Sequence, residues 1–430
     1  MNNQSANDTL ALLGGPKLIN HTFSRYNSLG PEEVEAAKQV VESGVLSQFL
    51  GCWDPDFFGG PKVQAFERQC ENYFDVKHAI TFNSWTSGLV AAVGAVGIEP
   101  GDEVIVSPWT MAASATAILH WNAIPVFADI ETSTFCLDPE SVERNISEHT
   151  RAIMSVDIAG HSADMDALRK IADKYKLKII SDTAQAPSAK YKGRYAGTLA
   201  DIGGYSLNYH KHIHTGEGGI SVTNDDDLAD RLRLIRNHAE VVVEDKGVTN
   251  LTNMIGHNLR LGEIECAIGI EQLKKLDVMV ESRQRIAHRL DRGLAGLMGL
   301  TLPAVSKDCT HVYYVYSMKL DVDLLGVNRA RIHQALTAEG VPALAASYQN
   351  IHLLPMYQKK QAYGTKGFPW TSDICKREVS YAKGICPVAE RLHDSEFLGF
   401  GVCSYEFRDD EMDLIVGAFQ KVWRNLDKLR

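Results

Sequence analysis

The sequence predicts an α/β protein: a large domain built on a mostly parallel, mixed sheet flanked by helices, followed by a smaller α+β C-terminal domain. Three observations predict it. Between about residues 75 and 225, short apolar runs alternate with amphipathic stretches, which is the pattern of βαβ units around a buried sheet. A chain of 430 residues is long enough for one large core and a second unit attached to it. Late in the chain a strand-like run, HVYYVYSMKLDV, and a helix-like run, NRARIHQALTAEG, follow a long helical region.

VIVSP (104–108), PVFADI (125–130), AIMSVDIAG (152–160) and KIISD (178–182) read as buried strands, and SATAILHWN, DPESVERNI and MDALRKIADKYK between them have helical spacing. GGYSLN (203–208) and GISVT (219–223) add two strands. Asp225, Asp226 and Asp227 suit the start of a helix, DLADRLRLIRNH, whose Leu228, Leu232 and Ile235 share one face. The long helical region GEIECAIGIEQLKKLDVMVESRQRIAHRLDRGLAGL carries the chain into the C-terminal domain. The boundary falls near 285, giving residues 1–285 as the large domain with an N-terminal arm and 286–430 as the small one. Residues 311–322 are predicted as a strand, and the helix after it ends at Gly340.

Composition narrows the functional classes. The chain is 45% hydrophobic and 23% charged, with a net charge of -10 and a pI near 5.8. That balance argues against sequence-independent binding of nucleic acid or anionic membranes. The opening MNNQSANDTLALLGG is neither basic nor apolar enough for a secretory signal, and no run of 18 apolar residues occurs. Eight scattered cysteines without a CxxC pair fit a reducing cytoplasm better than a disulfide framework.

One stretch, SLNYHKHIHTGEGG from Ser206 to Gly219, has three readings. His210, His212 and His214 would share a face if they lay on a strand, as a zinc or iron site would need. The nearest carboxylate, Glu217, lies beyond Gly216 in a turn, and no HExxH or cysteine pair supports a metal. TGEGG lacks the spacing of a phosphate loop and precedes a strand rather than a helix. The third reading is a setting for one reactive lysine, Lys211. Upstream, SDTAQAP puts Asp182 at the carboxyl end of a predicted parallel strand with Gln185 one helical turn on, where open α/β sheets bind ligands. FNSWTSGLVAAVGAVGI leads small hydroxyl residues into a helix, whose free N–H groups suit a phosphate monoester. Together these supply a phosphate cup, a carboxylate and a lysine, the parts that hold pyridoxal 5'-phosphate (PLP).

At these residues the chain resembles the DegT family, PLP-dependent sugar aminotransferases of fold type I. The resemblance runs from about Asn27 to the C-terminus and includes GDEVIVSPWT, PVFADI, HSADMDAL, SDTAQA, GTLADIGGYSLNYHKHIHTGEGG, LRLIRNH and GHNLRLGEIECAIGIEQL. It implies that Lys211 bonds covalently to PLP, Asp182 pairs with the ring nitrogen and Gln185 lies beside the ring hydroxyl. It also implies a phosphate cup of Ser206 with the backbone of Thr86 and Ser87. Asn258 would reach the phosphate from a neighbouring subunit, in a homodimer with shared sites. A related branch carries histidine in place of the lysine and dehydrates its sugar; here the register puts lysine at 211 and favours transamination. Two positions depart from the family. Trp85 stands where glycine is usual, at the phosphate cup, and Met111 where an aromatic stacks on the ring, so that Trp109 stacks instead or the Met111 thioether covers it.

The implied activity moves an amino group from an amino acid, glutamate or glutamine with glutamate favoured, to a ketosugar, nucleotide-linked for preference, for polysaccharide or secondary-metabolite biosynthesis. A keto-cyclitol acceptor or a sugar dehydratase is the alternative, and a site-dead homologue and a metal protein are the remaining rivals. Arg236 and His238 are candidates for contacts to donor or substrate carboxylates, equally explained as basic residues complementing a helix dipole. His311, Tyr313, Tyr348, His352 and Tyr357 are candidates for sugar contacts, where aromatics on strands are usually core, and Arg260 is a candidate for the interface beside Asn258. The stretch SQFLGCWDPDFFGGPK either lines the substrate mouth with its aromatics or is a loop anchored by Trp53 and Phe57.

Overall fold

A computed structural model describes residues 8–430. The strands of the first half are β1 (His78–Phe82), β2 (Glu103–Val106), β3 (Ile124–Phe127), β4 (Thr150–Val156), β5 (Lys178–Asp182), a two-stranded hairpin of β6 (Lys190–Tyr191) and β7 (Arg194–Tyr195), β8 (Ile202–Ser206) and β9 (Gly219–Thr223). Seven of them form one sheet in the order β1-β9-β8-β5-β4-β2-β3. Strand β9 runs antiparallel to both β1 and β8, and the remaining pairs are parallel. Strands β2 and β3 are buried from end to end, and β4 is buried except at Arg151, near its start, as the apolar runs require.

Helices follow the strands where the sequence places them: Trp85–Ala95, Ala112–Leu119, Pro139–Asn145, Met165–Tyr175 and Asp226–Arg236. Their starts have local causes. The carboxylate of Asp225 accepts hydrogen bonds from the backbone N–H groups of Asp227 and Leu228, and Asp138 does the same for Glu140 and Ser141. Several predicted strands are shorter than their apolar runs. AIMSVDIAG leaves the sheet after Val156 and turns through Ile158–Gly160 with Ala159 in the left-handed region. HVYYVYSMKLDV is a strand only over β11 (Tyr316–Leu320), because Tyr313 also takes a positive φ.

The C-terminal half adds β10 (Leu300–Thr301), β11, β12 (Leu344–Ala345) and β13 (Phe397–Phe400), an antiparallel sheet in the order β10-β11-β13-β12. The division of the chain near 285 describes only part of the packing. Leu10 and Ile19, from the N-terminal end, are buried in the C-terminal cluster with Met318, Leu336 and Phe419. Ile351, Tyr357, Trp370, Tyr381 and Leu392, from beyond the division, are buried in the cluster of the large sheet. Hydrogen bonds explain the first exchange: buried Glu339 and Lys421, paired at 2.9 Å, hold the N-terminal end, Glu339 accepting the backbone N–H groups of Ala11 and Leu18 and Lys421 donating to the Pro16 carbonyl.

Arg236 ends its helix inside the large domain, not at a ligand site. Its guanidinium is fully buried, donates to Glu67 at 2.6 Å and to the carbonyl of Thr81 at 3.1 Å, and lies over the Phe49 ring. Removing one partner of a buried pair leaves the other charge unpaired. Arg236→Ala is therefore expected to destabilise the protein by about 3–5 kcal/mol, read as a lower denaturation midpoint at an unchanged slope.

Candidate active site

The sheet order brings the candidate residues together. Gly219, the first residue of β9, is in register with Phe82 at the end of β1 and with Ser206 at the end of β8. The turn after β1 and the start of the helix Trp85–Ala95 therefore lie beside Ser206. Asp182 ends β5, paired in parallel with β8. The resulting cavity of about 380 Å³ is lined by Ser84, Trp85, Thr86, Met111, Asp182, Gln185, Ser206, Asn208, His210, Lys211, Tyr314, Tyr348 and Phe397, among others. That volume lies within the range of small-molecule sites, about 300–1,000 Å³.

Lys211 is 8% exposed, and its Nζ sits 4.5 Å from the centre of the Tyr314 ring. Burial disfavours the ammonium and outweighs the opposing attraction of Asp182, lowering the lysine to about pH 8. Asp182 takes its hydrogen bonds elsewhere: Oδ1 accepts from the Trp85 indole N–H at 2.8 Å and from the Ala184 backbone N–H at 3.3 Å, and Oδ2 from the Ser114 hydroxyl at 2.6 Å. Gln185 accepts the Ala159 N–H through Oε1 and donates through Nε2 to the Tyr348 hydroxyl at 3.3 Å. Ser84 caps the Trp85–Ala95 helix, its Oγ accepting the Ser87 N–H at 3.1 Å.

Several expectations need correction. The strand ends at Ser206, so His210, His212 and His214 lie in a loop and share no strand face. His210 is exposed, whereas His212 is fully buried with Nε2 bonded to the Val312 carbonyl. Among the described residues, no group of three or more His, Cys, Asp or Glu side chains is placed to hold a metal. Ser87 does not line the cavity, its N–H being committed to Ser84. Trp109 is also outside the lining, packed in the core against Tyr348 and Phe397, so it does not stack over the cavity. Met111 lines the cavity and is 65% exposed. Trp85 does not obstruct the cup: its ring points inward and is 3% exposed.

Asn258 is exposed, accepts the Arg260 Nε–H at 2.8 Å, and is not among the residues that line this chain's own cavity. Of the further candidates only Tyr348 lines it; His238, His311, Tyr313, His352, Tyr357 and Arg260 do not. Buried His352 pairs with Glu390 at 2.9 Å, and the His311 ring stacks on Tyr313. In the SQFLGCWDPDFFGGPK stretch Phe57 is buried, and the Asn237 amide donates to the carbonyls of Leu50 and Phe57. None of its aromatics lines the cavity; the stretch is an anchored loop. Ser114, Tyr314 and Phe397 had no signal of their own in the sequence, since a small residue in a helix and aromatics in strand-like runs read as core.

The chain matches the DegT/DnrJ/EryC1/StrS aminotransferase family over residues 31–386 and belongs to it. It is 34% identical to the spore coat polysaccharide biosynthesis protein SpsC of Bacillus subtilis over 82% of this chain and 89% of that one. Its likeness to an L-glutamine:2-deoxy-scyllo-inosose aminotransferase of Streptomyces lividus is 33% over 97% of this chain and 98% of that one. Among solved structures, S. venezuelae DesV, in complex with a ketimine intermediate, superposes with a TM-score of 0.76 at 30% identity, covering 91% of this chain and 94% of that one. The protein is thus an aminotransferase of the fold type I class, and its cofactor is PLP. No helix among the described residues is long and apolar enough to cross a membrane.

A lysine lowered to about pH 8 predicts how its reactivity varies with pH. Competitive acetylation of Lys211 in the cofactor-free protein should speed up about tenfold per pH unit below pH 8 and level off above it. A rate still climbing beyond pH 9.5 or so would place the amine in water.

Proposed function

We propose that the protein transfers an amino group from an amino acid to the ketone of a polyhydroxylated six-membered ring, with Lys211 as the catalytic residue. The observation that carries this reading is the buried Lys211 amine, free of any carboxylate partner within salt-bridge distance among the described residues, sharing one cavity with Asp182, Gln185 and Ser206. The donor set fits PLP: an acid for the ring nitrogen, an amide for the ring hydroxyl, and a helix N-terminus with hydroxyls for the phosphate. Asp182 and Gln185 hold the ring, and Ser206 with the Thr86 backbone holds the phosphate. When bound, PLP supplies an electron sink for the carbon that loses its proton.

Lys211 would hold the cofactor through its unprotonated amine, and with that amine freed its Nζ would serve as base and acid, taking a proton from the donor's amino-bearing carbon and returning one. The amine is suited to this because burial lowers it to about pH 8, so that a larger share is unprotonated than in a lysine in water. Arginine would stay protonated. The placement of Lys211 in the cavity, with His212 turned to the Val312 carbonyl, favours transamination over the dehydration that a histidine there would serve.

The acceptor class rests on likeness and on the lining. End-to-end similarity to the scyllo-inosose aminotransferases favours a free keto-cyclitol with L-glutamine as donor. Among the described residues lining the cavity, Lys211 is the one lysine or arginine, which suits a neutral ring. SpsC and a GDP-perosamine synthase of Caulobacter vibrioides, 35% identical over 75% of this chain and 86% of that one, favour a nucleotide-linked ketosugar as the second reading. Asn258, exposed, and Arg260, half-buried, both outside the lining of this chain's cavity, suit a homodimer in which each copy completes the other's site.

Two measurements test these readings. Lys211→Ala should abolish the visible absorbance of lysine-bound PLP and lower turnover by at least about 1,000-fold; turnover at the wild-type rate would remove Lys211 from catalysis. Holoenzyme offered L-glutamine or L-glutamate with a panel of keto-cyclitols and nucleotide-linked ketosugars should aminate the cyclitol, detected by mass spectrometry. Amination of only nucleotide-linked sugars would select the second reading, and amination of neither would overturn both.

A further inference from the structure

We propose that Trp85 is a positioning residue for the transamination, fixing through its indole N–H the Asp182 carboxylate that faces the cofactor's ring nitrogen. The inference rests on that reading of Asp182. Trp85 follows the helix-capping Ser84, where its backbone lies beside the cavity. Its ring, however, turns inward beneath the helix and reaches the end of β5, donating to Asp182 Oδ1 at 2.8 Å.

Room for Trp85 is made by three glycines on three different elements, two of them facing its ring and the third its backbone. A methyl group at Gly88, one turn along the same helix, would come within 2.5 Å of the ring, and one at Gly204 in β8 within 2.1 Å of it. One at Gly219 in β9 would meet the Trp85 backbone nitrogen at 2.4 Å. The slot fits the side chain closely, so the indole has one orientation, with the N–H aimed at the acid.

The opposite oxygen is held as firmly. Oδ2 accepts the Ser114 hydroxyl at 2.6 Å, and Ser114 in turn is within 2.9 Å of the Thr110 hydroxyl. Asp182 is 4% exposed and Ser114 fully buried, so bulk water does not compete for these bonds. A carboxylate bonded at both oxygens cannot rotate about its Cβ–Cγ bond without breaking a charge-assisted hydrogen bond. Its remaining lone pairs are therefore aimed in fixed directions, and one of them is available for the ring N–H of the cofactor.

Trp85→Phe fills most of the same slot and removes only the donor. Loaded with PLP labelled with 15N in the ring, the variant should keep the visible absorbance of lysine-bound cofactor while its ring 15N resonance moves from the wild-type position. Exchange of the donor's α-proton with solvent should slow about 10- to 100-fold, the scale of one lost hydrogen bond to a charge. A purely packing role would leave the 15N shift unmoved. Replacement of Trp85 by 3-benzothienylalanine, in which sulfur stands for the N–H, gives the same comparison at indole size if the phenylalanine variant does not fold. Asp182→Asn is the control for the underlying reading. If it shifts the resonance and both Trp85 replacements do not, the positioning role is wrong while the reading of Asp182 stands. If none of them shifts it, the reading of Asp182 fails and the proposal with it.

Discussion

An amine removed from water without a counter-ion is the constraint on which this structure turns. Lys211 could have been stabilised by an ion pair with Asp182, which with Glu217 is one of two acids lining the same cavity. Such a pair would hold the lysine charged and useless as a nucleophile at neutral pH. Instead the acid is occupied by the Trp85 indole and the Ser114 hydroxyl, and the lysine lies over the Tyr314 ring with burial as the dominant influence on its charge. Two titratable groups in one cavity are kept to separate tasks by giving each its own neighbours.

The sheet topology makes that separation possible. Parallel β5 and β8 end side by side and deliver Asp182 and Ser206 to one edge. Antiparallel β9 inserts between β8 and β1, so the helix that follows β1 begins at the same edge. Chain segments far apart in sequence thus supply an acid, a hydroxyl, a helix N-terminus and an amine within one cavity. The backbone must also approach closely there, which is why the glycine-rich runs GGYS and GEGG flank the lysine loop: Gly204 and Gly219 leave space that Trp85 fills.

Much of this was legible in the sequence because it depends on local patterns. Apolar runs bounded by polar turns gave six of the seven strands of the large sheet, β1 being missed, and KIISD matches β5 to the residue. Lys211, Asp182, Gln185, Ser206 and Thr86 stood in a recognisable order, and all of them line the cavity. What escaped depends on side-chain direction across elements, which spacing does not encode. Trp85 stood at the cup in place of the usual glycine, whereas its ring leaves by a slot between its own helix at Gly88 and β8 at Gly204. Trp109 looked like a stacking partner by proximity in sequence, yet its ring joins Phe397 from the C-terminal sheet. The alternation of histidines suggested a strand face, but the strand stops at Ser206. The packing of Leu10 with Phe419 likewise rests on contacts between the ends of the chain that no local signal carries.

The most direct test of the central claim is to reduce the holoenzyme with borohydride and map the modified peptide. The account predicts a single pyridoxyl group on Lys211, in the peptide containing NYHKHIH. A pyridoxyl group on another lysine, or none at all, would contradict it.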